Sequence, residues 1–307
     1  MNARETPPTP LTSSFGLDPA IAAELRSIGA VLDDAVLKRS RELYADRQDL
    51  SLPPGGERTD DIPYGEHPRQ VLDLCTPGAR GRPVVLFVPG GGFTAGDKAF
   101  YAHVPTFFAR NGWTAAAMNY RLAPEAPWPS GSEDVARALD WLAGNGASHG
   151  GDVSRIFVVG QSAGAAHTAG ALFDASLRPR CHASVRKAVL MSGFYRMSAD
   201  TPAKGATLYF GSDASTHTLR SPLSHVAGSA VPVLLTLAEF DPPFLISSTL
   251  ALAEALTERD RVCPPLAWLR GHNHLSPVLG LGGPGDQVGP AIDAALREPV
   301  RHARGAV

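Results

Sequence analysis

The stretch Arg155–Gly164 reads RIFVVGQSAG. A short apolar run ends abruptly in Gly-Gln-Ser-Ala-Gly, and AAHTAGALF follows with residues suited to a helix. A continuous apolar run of this kind reads as a strand covered on both faces, which points to a parallel sheet. Gly-x-Ser-x-Gly between a strand and a helix marks a tight, strained turn that leaves a serine hydroxyl exposed, a nucleophile elbow. The flanking glycines leave room for the helix to pack against neighbouring strands. The first amide groups of that helix, and the positive end of its dipole, aim at the serine. The plainer alternative makes Ser162 the N-cap of an ordinary turn. A dinucleotide site would need Gly-x-Gly-x-x-Gly, which is absent at this turn.

Working outward, the texture repeats. PVVLFVP, TAAAMNY, RKAVLMSGFY, PVLLTLAEF and PPLAWLRG are further apolar runs, separated by the helical patterns SEDVARALDWLAGNG, PFLISSTLALAEALTERD and GPAIDAALREP. The fold class expected is α/β, a mostly parallel central sheet flanked by helices. Ahead of it, DIPYGEHPRQVLDLCTP alternates around a turn like an antiparallel hairpin, and SLPPGGERTDD reads as a linker. Residues 18–50 read as two helices, with Ile21, Leu25 and Ile28 on one and Val36, Leu37 and Leu43 on the other. Gly29 breaks them and the Asp33–Asp34 pair caps the second. Residues 1–17 are rich in Pro, Thr and Ser and read as a loose arm. The segment Met197–His225 carries no clear pattern and is a candidate cover for a site.

Bulk properties narrow the field. The chain has 307 residues, 44% hydrophobic and 19% charged, with a formal net charge of −2. That balance favours neither nucleic acid nor an anionic membrane as partner. Cys75, Cys181 and Cys263 are too few and too odd in number for a disulfide framework. They read as buried thiols in a reducing compartment. No metal-ligand spacing stands out. No signal-peptide core and no run of about 18 apolar residues is present, so a cytoplasmic location is expected.

An exposed serine is a poor nucleophile alone. It needs a base within hydrogen-bond reach and an acceptor that orients the base. In an elbow enzyme these come later, as acid and then histidine. Asp241, in AEFDPP after a strand, leads as the acid; Glu239 is its rival. In GHNHLS after the last strand, His274 leads as the base over His272. A zinc reading of His-x-His lacks a third ligand. The other histidines, including His67, His103 and His182, have no such context. Oxyanion donors should come from the residue after the nucleophile, Ala163, and from the glycine loop in FVPGGGFTAGDK, Phe87–Lys98. Gly91 and Gly92 lead there, with Gly90 behind them. A phosphate cradle would continue Gly-Lys-Ser/Thr, and this loop does not. Phe93, Gln161, Phe194, Tyr195 and Phe244, with Trp128, are candidate pocket residues; each aromatic has core packing as its alternative.

These motifs, with NYRLAPEAPWPSGSEDV, resemble the hormone-sensitive-lipase-like carboxylesterase branch of the α/β-hydrolase superfamily. The similarity runs from the helical pair to the final helix. It implies a triad of Ser162, Asp241 and His274, an oxyanion hole from Gly91, Gly92 and Ala163, and no cofactor. It implies that residues 1–50 are arm and cap and 51–307 the α/β-hydrolase catalytic domain. The NYRLAPE segment should pack near the oxyanion loop. Two departures stand out: Pro89 replaces the family's histidine before the glycines, and Gln161 replaces the usual acid before the serine. The elbow and Gly96-Asp97-Lys98 are also similar to the arylformamidase group. The expected substrate is a small short- to medium-chain ester, or an amide on the alternative reading, with a non-catalytic binding protein a third. No nucleic-acid or membrane partner is expected; a homodimer is left open.

Overall fold

The computed structural model describes residues 17–299. Residues 1–16, which hold most of the loose arm, lie outside the described residues, as do residues 300–307. The chain opens with α1 (Pro19–Ile28) and α2 (Asp34–Tyr44). Each starts at an aspartate whose carboxylate accepts the orphan N–H groups of the first turn, Asp18 from Ala20 and Ile21 and Asp33 from Val36. Gly29 ends α1 with φ +67°.

The strands and helices that follow are β1 (Glu57–Pro63), β2 (Val71–Thr76), β3 (Arg82–Val88), α3 (His103–Arg110), β4 (Thr114–Met118), α4 (Ser130–Asn145), β5 (Gly151–Gln161) and α5 (Ala163–Phe173). Then come β6 (Val185–Met191), α6 (Lys204–Phe210), α7 (Ala214–Arg220), β7 (Val233–Phe240), α8 (Pro243–Asp260), β8 (Leu266–Asn273), α9 (Ser276–Leu279) and α10 (Val288–Arg297). The strands form one eight-stranded sheet in the order β1-β2-β4-β3-β5-β6-β7-β8. β1–β2 and β2–β4 pair antiparallel, and every other neighbouring pair is parallel.

Side chains alternate across the sheet as strand geometry requires. Val84, Leu86 and Val88 join Ile156, Val158 and Leu190 in a core beneath α4, α5 and α8. Val85 and Phe87 join Phe157, Val159 and Met191 in a second core beneath α1, α3 and α10. Both faces are apolar, which is why the strands read as unbroken hydrophobic runs. β4 lies on one side of β3 and β5 on the other, so the chain reverses direction across the sheet at β3. Loops that follow β3 and β5 therefore open a crevice beyond the carboxyl ends of the strands. Val88, the last residue of β3, pairs with Gly160 of β5. The glycine loop and the Gly-x-Ser-x-Gly turn are neighbours for this reason.

Four sequence expectations need correction. β1 takes in Glu57–Asp61, read from sequence as linker; its charged side chains suit an exposed edge strand. β8 runs on through His272 and Asn273. In the helical pair, Ile21, Leu25, Ser40 and Tyr44 are buried, whereas Ile28, Val36, Leu37 and Leu43 are only partly covered. α1 leans on β8 and α2 on α9, so each helix has one narrow covered face. Of the three free cysteines only Cys75 is buried; Cys263 is exposed. No helix among the described residues is long and apolar enough to cross a membrane.

Three buried histidines carry a testable consequence. Burial alone pulls His167 down to about 3 and His272 to about 4. Burial likewise holds His103 at about 4, against a smaller upward pull from the Val278 carbonyl. The unfolded chain, with histidines near 6.5, takes up protons that the folded chain refuses. Stability contributed by these sites is complete above pH 6.5 and is lost as the pH falls toward 4. Denaturant titrations across that range should show the loss. His103→Gln, which keeps a donor for the Val278 carbonyl but cannot titrate, should remove the share of the loss that His103 contributes.

Candidate active site

Ser162 stands between β5 and α5 with φ +55° and ψ −122°. A serine held at positive φ is uncommon and stays there only when its surroundings over-determine it. They do here. The Ser162 N–H donates to the Met191 carbonyl at the end of β6, at 2.8 Å. A Cβ on Gly164 would lie 2.1 Å from the Val88 carbonyl oxygen, and one on Gly160 would lie 2.8 Å from the Ala165 Cα. Both glycines are required by close approach of backbone to backbone.

His274 follows the last residue of β8, and its Nε2 lies 2.9 Å from the Ser162 Oγ. Its Nδ1 lies 2.7 Å from the Asp241 Oδ1. Asp241 is 0% exposed and follows the last residue of β7. Its second oxygen accepts from the Ser192 hydroxyl at 2.6 Å and from the Ala238 N–H at 2.7 Å. A carboxylate that accepts from three donors orients the imidazole so that Nδ1–H faces the acid and the Nε2 lone pair faces the serine. The rivals are occupied elsewhere. The Glu239 carboxylate accepts the Gly271 N–H at 2.6 Å, filling the irregularity in the β7–β8 pairing. His272 lies inside β8 with Nδ1 at 2.9 Å from the Ser276 Oγ. Ser192 escaped the sequence reading; its only signal was a small polar residue just past an apolar run.

The three glycines after Pro89 serve three needs. A Cβ at Gly90 would lie 2.1 Å from the Gln161 Oε1 and 2.9 Å from the Ser162 Cβ. A Cβ at Gly91 would collide with the Ala95 carbonyl, at 1.9 Å. Gly92 has open space but φ +57°, which favours glycine. Pro89 has no N–H to give; its carbonyl accepts the Tyr120 hydroxyl at 2.9 Å. Ala163 opens α5, so its N–H has no acceptor within the helix. Gly91, Gly92 and Ala163 border the same cleft as Ser162 and His274.

A family model for the alpha/beta hydrolase fold matches residues 85–274, more than half of the chain. The chain belongs to the α/β-hydrolase family. Its relatives include the esterase LipQ of Mycobacterium tuberculosis, 36% identical over 176 residues, a match covering 53% of this chain and 39% of LipQ. This chain thus spans about two fifths of that relative and a smaller share of the next ones. Among solved structures it resembles the hyperthermophilic esterase of the archaeon Pyrobaculum calidifontis. The TM-score is 0.69 at 22% identity, covering 92% of this chain and 98% of that one. Esterase B of Lactobacillus rhamnosis, inhibited by a tributyrin phosphonate, gives 0.68 at 20% identity, covering 91% and 96%. These likenesses in structure are likenesses of fold.

In this chain the cleft has a volume of about 460 Å³. Phe93, Phe194 and Phe244 line it, and Gln161 borders it beside His274. Tyr195 does not: it is fully buried in the core with Leu190, Val226 and Leu252, and its N–H donates to the Ser248 Oγ. It follows Phe194 directly, and consecutive residues face opposite ways. Trp128 packs at the edge of the aromatic cluster under an arginine, Arg220, and is not a wall of the cleft. Leu32, Leu37 and Arg41 from the helical pair and Pro202–Ala206 from the unreadable segment complete the walls. Behind Phe93, His167 is buried among Tyr120 and Tyr209. Among the described residues, no group of His, Cys, Asp and Glu is placed to hold a metal ion.

The close approach at Gly164 has a measurable cost. Gly164→Ala should destabilise the fold by about 1–3 kcal/mol, because the added methyl overlaps the Val88 and Pro89 carbonyls. Urea unfolding of the variant checks this; an unchanged midpoint would show that the elbow can relax.

Proposed function

We propose that this hydrolase is a serine carboxylesterase that cleaves short- to medium-chain carboxylic esters through an acyl-enzyme intermediate. One observation carries the reading: an unbroken line of hydrogen bonds from Asp241 through His274 to Ser162, at 2.7 and 2.9 Å, ending in a cleft. The esterases among its relatives support it. They do not favour the formamide-cleaving alternative, and the intact line leaves a non-catalytic role without support.

The chemistry follows from the geometry. The Ser162 hydroxyl donates to Nε2 of His274, which takes the proton as Oγ attacks the ester carbonyl. The imidazolium that forms is stabilised by Asp241, a buried carboxylate already in contact with Nδ1–H. The carbonyl oxygen becomes an oxyanion, to which Gly91, Gly92 and Ala163 offer N–H groups. Such donors aimed at developing charge supply the largest single share of catalysis in many enzymes. His274 then returns the proton to the leaving alcohol. Water repeats the cycle and frees Ser162.

Substrate class follows from size and lining. A cleft of about 460 Å³ suits a small ligand, within the usual range of roughly 300–1,000 Å³. Phe93, Phe194 and Phe244 give it an apolar wall for the acyl chain. No cofactor enters the mechanism. The two N-terminal helices form part of a cap in this reading, supported by the cleft contacts of Leu32, Leu37 and Arg41. A cytoplasmic location is part of the same reading, supported by three unpaired cysteines.

A panel of p-nitrophenyl esters with N-formylkynurenine tests the proposal. Fast turnover of the butyrate ester and none of the formamide is expected. Ser162→Ala should lose activity to near background and take up no fluorophosphonate label. Asp241→Asn should lower kcat by about 10⁴-fold by favouring the wrong imidazole tautomer. Glu239→Gln should leave kcat within about threefold, since the Glu239 carboxylate is engaged with the Gly271 N–H and not with His274. Equal labelling of wild type and Ser162→Ala would overturn the reading.

A further inference from the structure

The Gly-Asp-Lys run after the glycine loop has no part in the mechanism above, yet it is built with unusual care. Lys98 is buried, its side chain 7% exposed. Its Nζ lies 2.6 Å from the Asp73 Oδ1 and 2.7 Å from the Asp61 Oδ1. Asp73 also meets Arg58 at 3.3 Å and accepts the Asp61 N–H at 2.9 Å. Asp61 sits at φ +55°, in the irregularity of the β1–β2 register. Burial opposes the charge on Lys98, but the two carboxylates outweigh it and hold the ammonium above its ordinary range.

Such a cluster is a poor way to gain stability. Replacing a buried ion pair by apolar residues of similar volume is often neutral or better. Its distinctive property is geometry, and the geometry leads to the glycine loop. The Lys98 N–H donates to the Asn119 Oδ1 at 2.7 Å, and the Asn119 Nδ2 donates back to Asp97 at 3.0 Å. One residue earlier, the Gly96 carbonyl accepts from Arg69 at 2.7 Å. Gly96 in turn lies against the residues that matter. A Cβ on Gly96 would fall 2.3 Å from the Gly90 carbonyl oxygen, and one on Gly91 would fall 2.8 Å from the Gly96 Cα. The backbone of Gly96 is the floor on which Gly90 and Gly91 rest.

We propose that Lys98 is a positioning residue for the oxyanion loop. Clamped between Asp73 and Asp61, it fixes Asp97 and Gly96 beneath Gly90 and Gly91, and so aims the Gly91 and Gly92 N–H groups. The inference rests on the serine-esterase reading. Lys98 touches no substrate. It ties the peripheral β1–β2 hairpin to the centre of the site, so a change at the edge of the sheet is read at the oxyanion.

The test uses the whole chain and two variants. Lys98→Met with Asp73→Asn removes the charges together and leaves no buried carboxylate stranded. Asp61→Ala removes the exposed partner, 74% accessible, and should fold in any case. The double variant should lose about tenfold to a hundredfold in kcat on p-nitrophenyl butyrate, less than deletion of an oxyanion donor, with KM within about twofold. Asp61→Ala should lose a few-fold in the same sense. A trifluoromethyl ketone, which Ser162 converts to an oxyanion-bearing adduct, should bind more weakly by the same factor as kcat. The matching unreactive amide should bind as in wild type. Lys98→Arg should restore most of the rate. Wild-type kcat in folded variants, or equal weakening of the ketone and the amide, would overturn the role of Lys98. If the double variant does not fold, Asp61→Ala decides by the same two readouts. A wild-type chain without esterase turnover would instead overturn the reading beneath it.

Discussion

Ser162 is held at φ +55°, and much of the surrounding sequence is the condition for keeping it there. Backbone in this region costs on the order of 1–3 kcal/mol for a non-glycine residue. The cost is borne because β3, β5 and β6 run parallel and end together, leaving the turn no other course. The Met191 carbonyl takes the Ser162 N–H from one side. The Val88 and Pro89 carbonyls press on Gly164 from the other. The hydroxyl is thereby pushed out toward the crevice. The same closeness of β3 and β5 sets the glycine loop beside the serine, so Ser162 and the three glycines are placed by one strand pairing.

The sheet also decides which carboxylate and which histidine line up with Ser162. Glu239 belongs to β7 and His272 to β8, where alternation and pairing claim their side chains. Asp241 and His274 come just after those strands, where the chain is free to turn inward. Position relative to the strand end, which the sequence shows, is what separates the members of each pair in the structure. What supports Asp241 was not visible, because Ser192 comes from a different strand and nothing local links the two. Tyr195 was misjudged for a related reason. A residue past a strand end can face either the cleft or the core, and the contacts that settle it are distant in sequence: the Tyr195 N–H is held by Ser248 of α8, 53 positions along the chain. The bounds of β1 were obscured by charged residues that look like linker but suit an edge strand.

The electrostatics divide along the same line. Buried histidines away from the cleft, His103, His167 and His272, are kept neutral by burial. His274 is equally enclosed, at 3% exposed, but lies against a carboxylate. An imidazolium is therefore penalised at the other three.

Gln161 shows how the departure from the family's usual acid fits this arrangement. Its amide nitrogen donates to the His274 carbonyl at 3.2 Å and lies 3.4 Å from the His274 Nε2. A carboxylate could not make the first contact, since both partners would be acceptors. The amide therefore links the residue before the nucleophile directly to the backbone of the base. It does so without adding a charge beside the imidazole, leaving Asp241 as the carboxylate in contact with the ring. Its oxygen faces Gly90, where any side chain would collide with it. The glutamine thus sets the spacing of elbow, histidine loop and glycine loop at once. A glycine at position 90 and a glutamine at 161 are two halves of a single packing requirement.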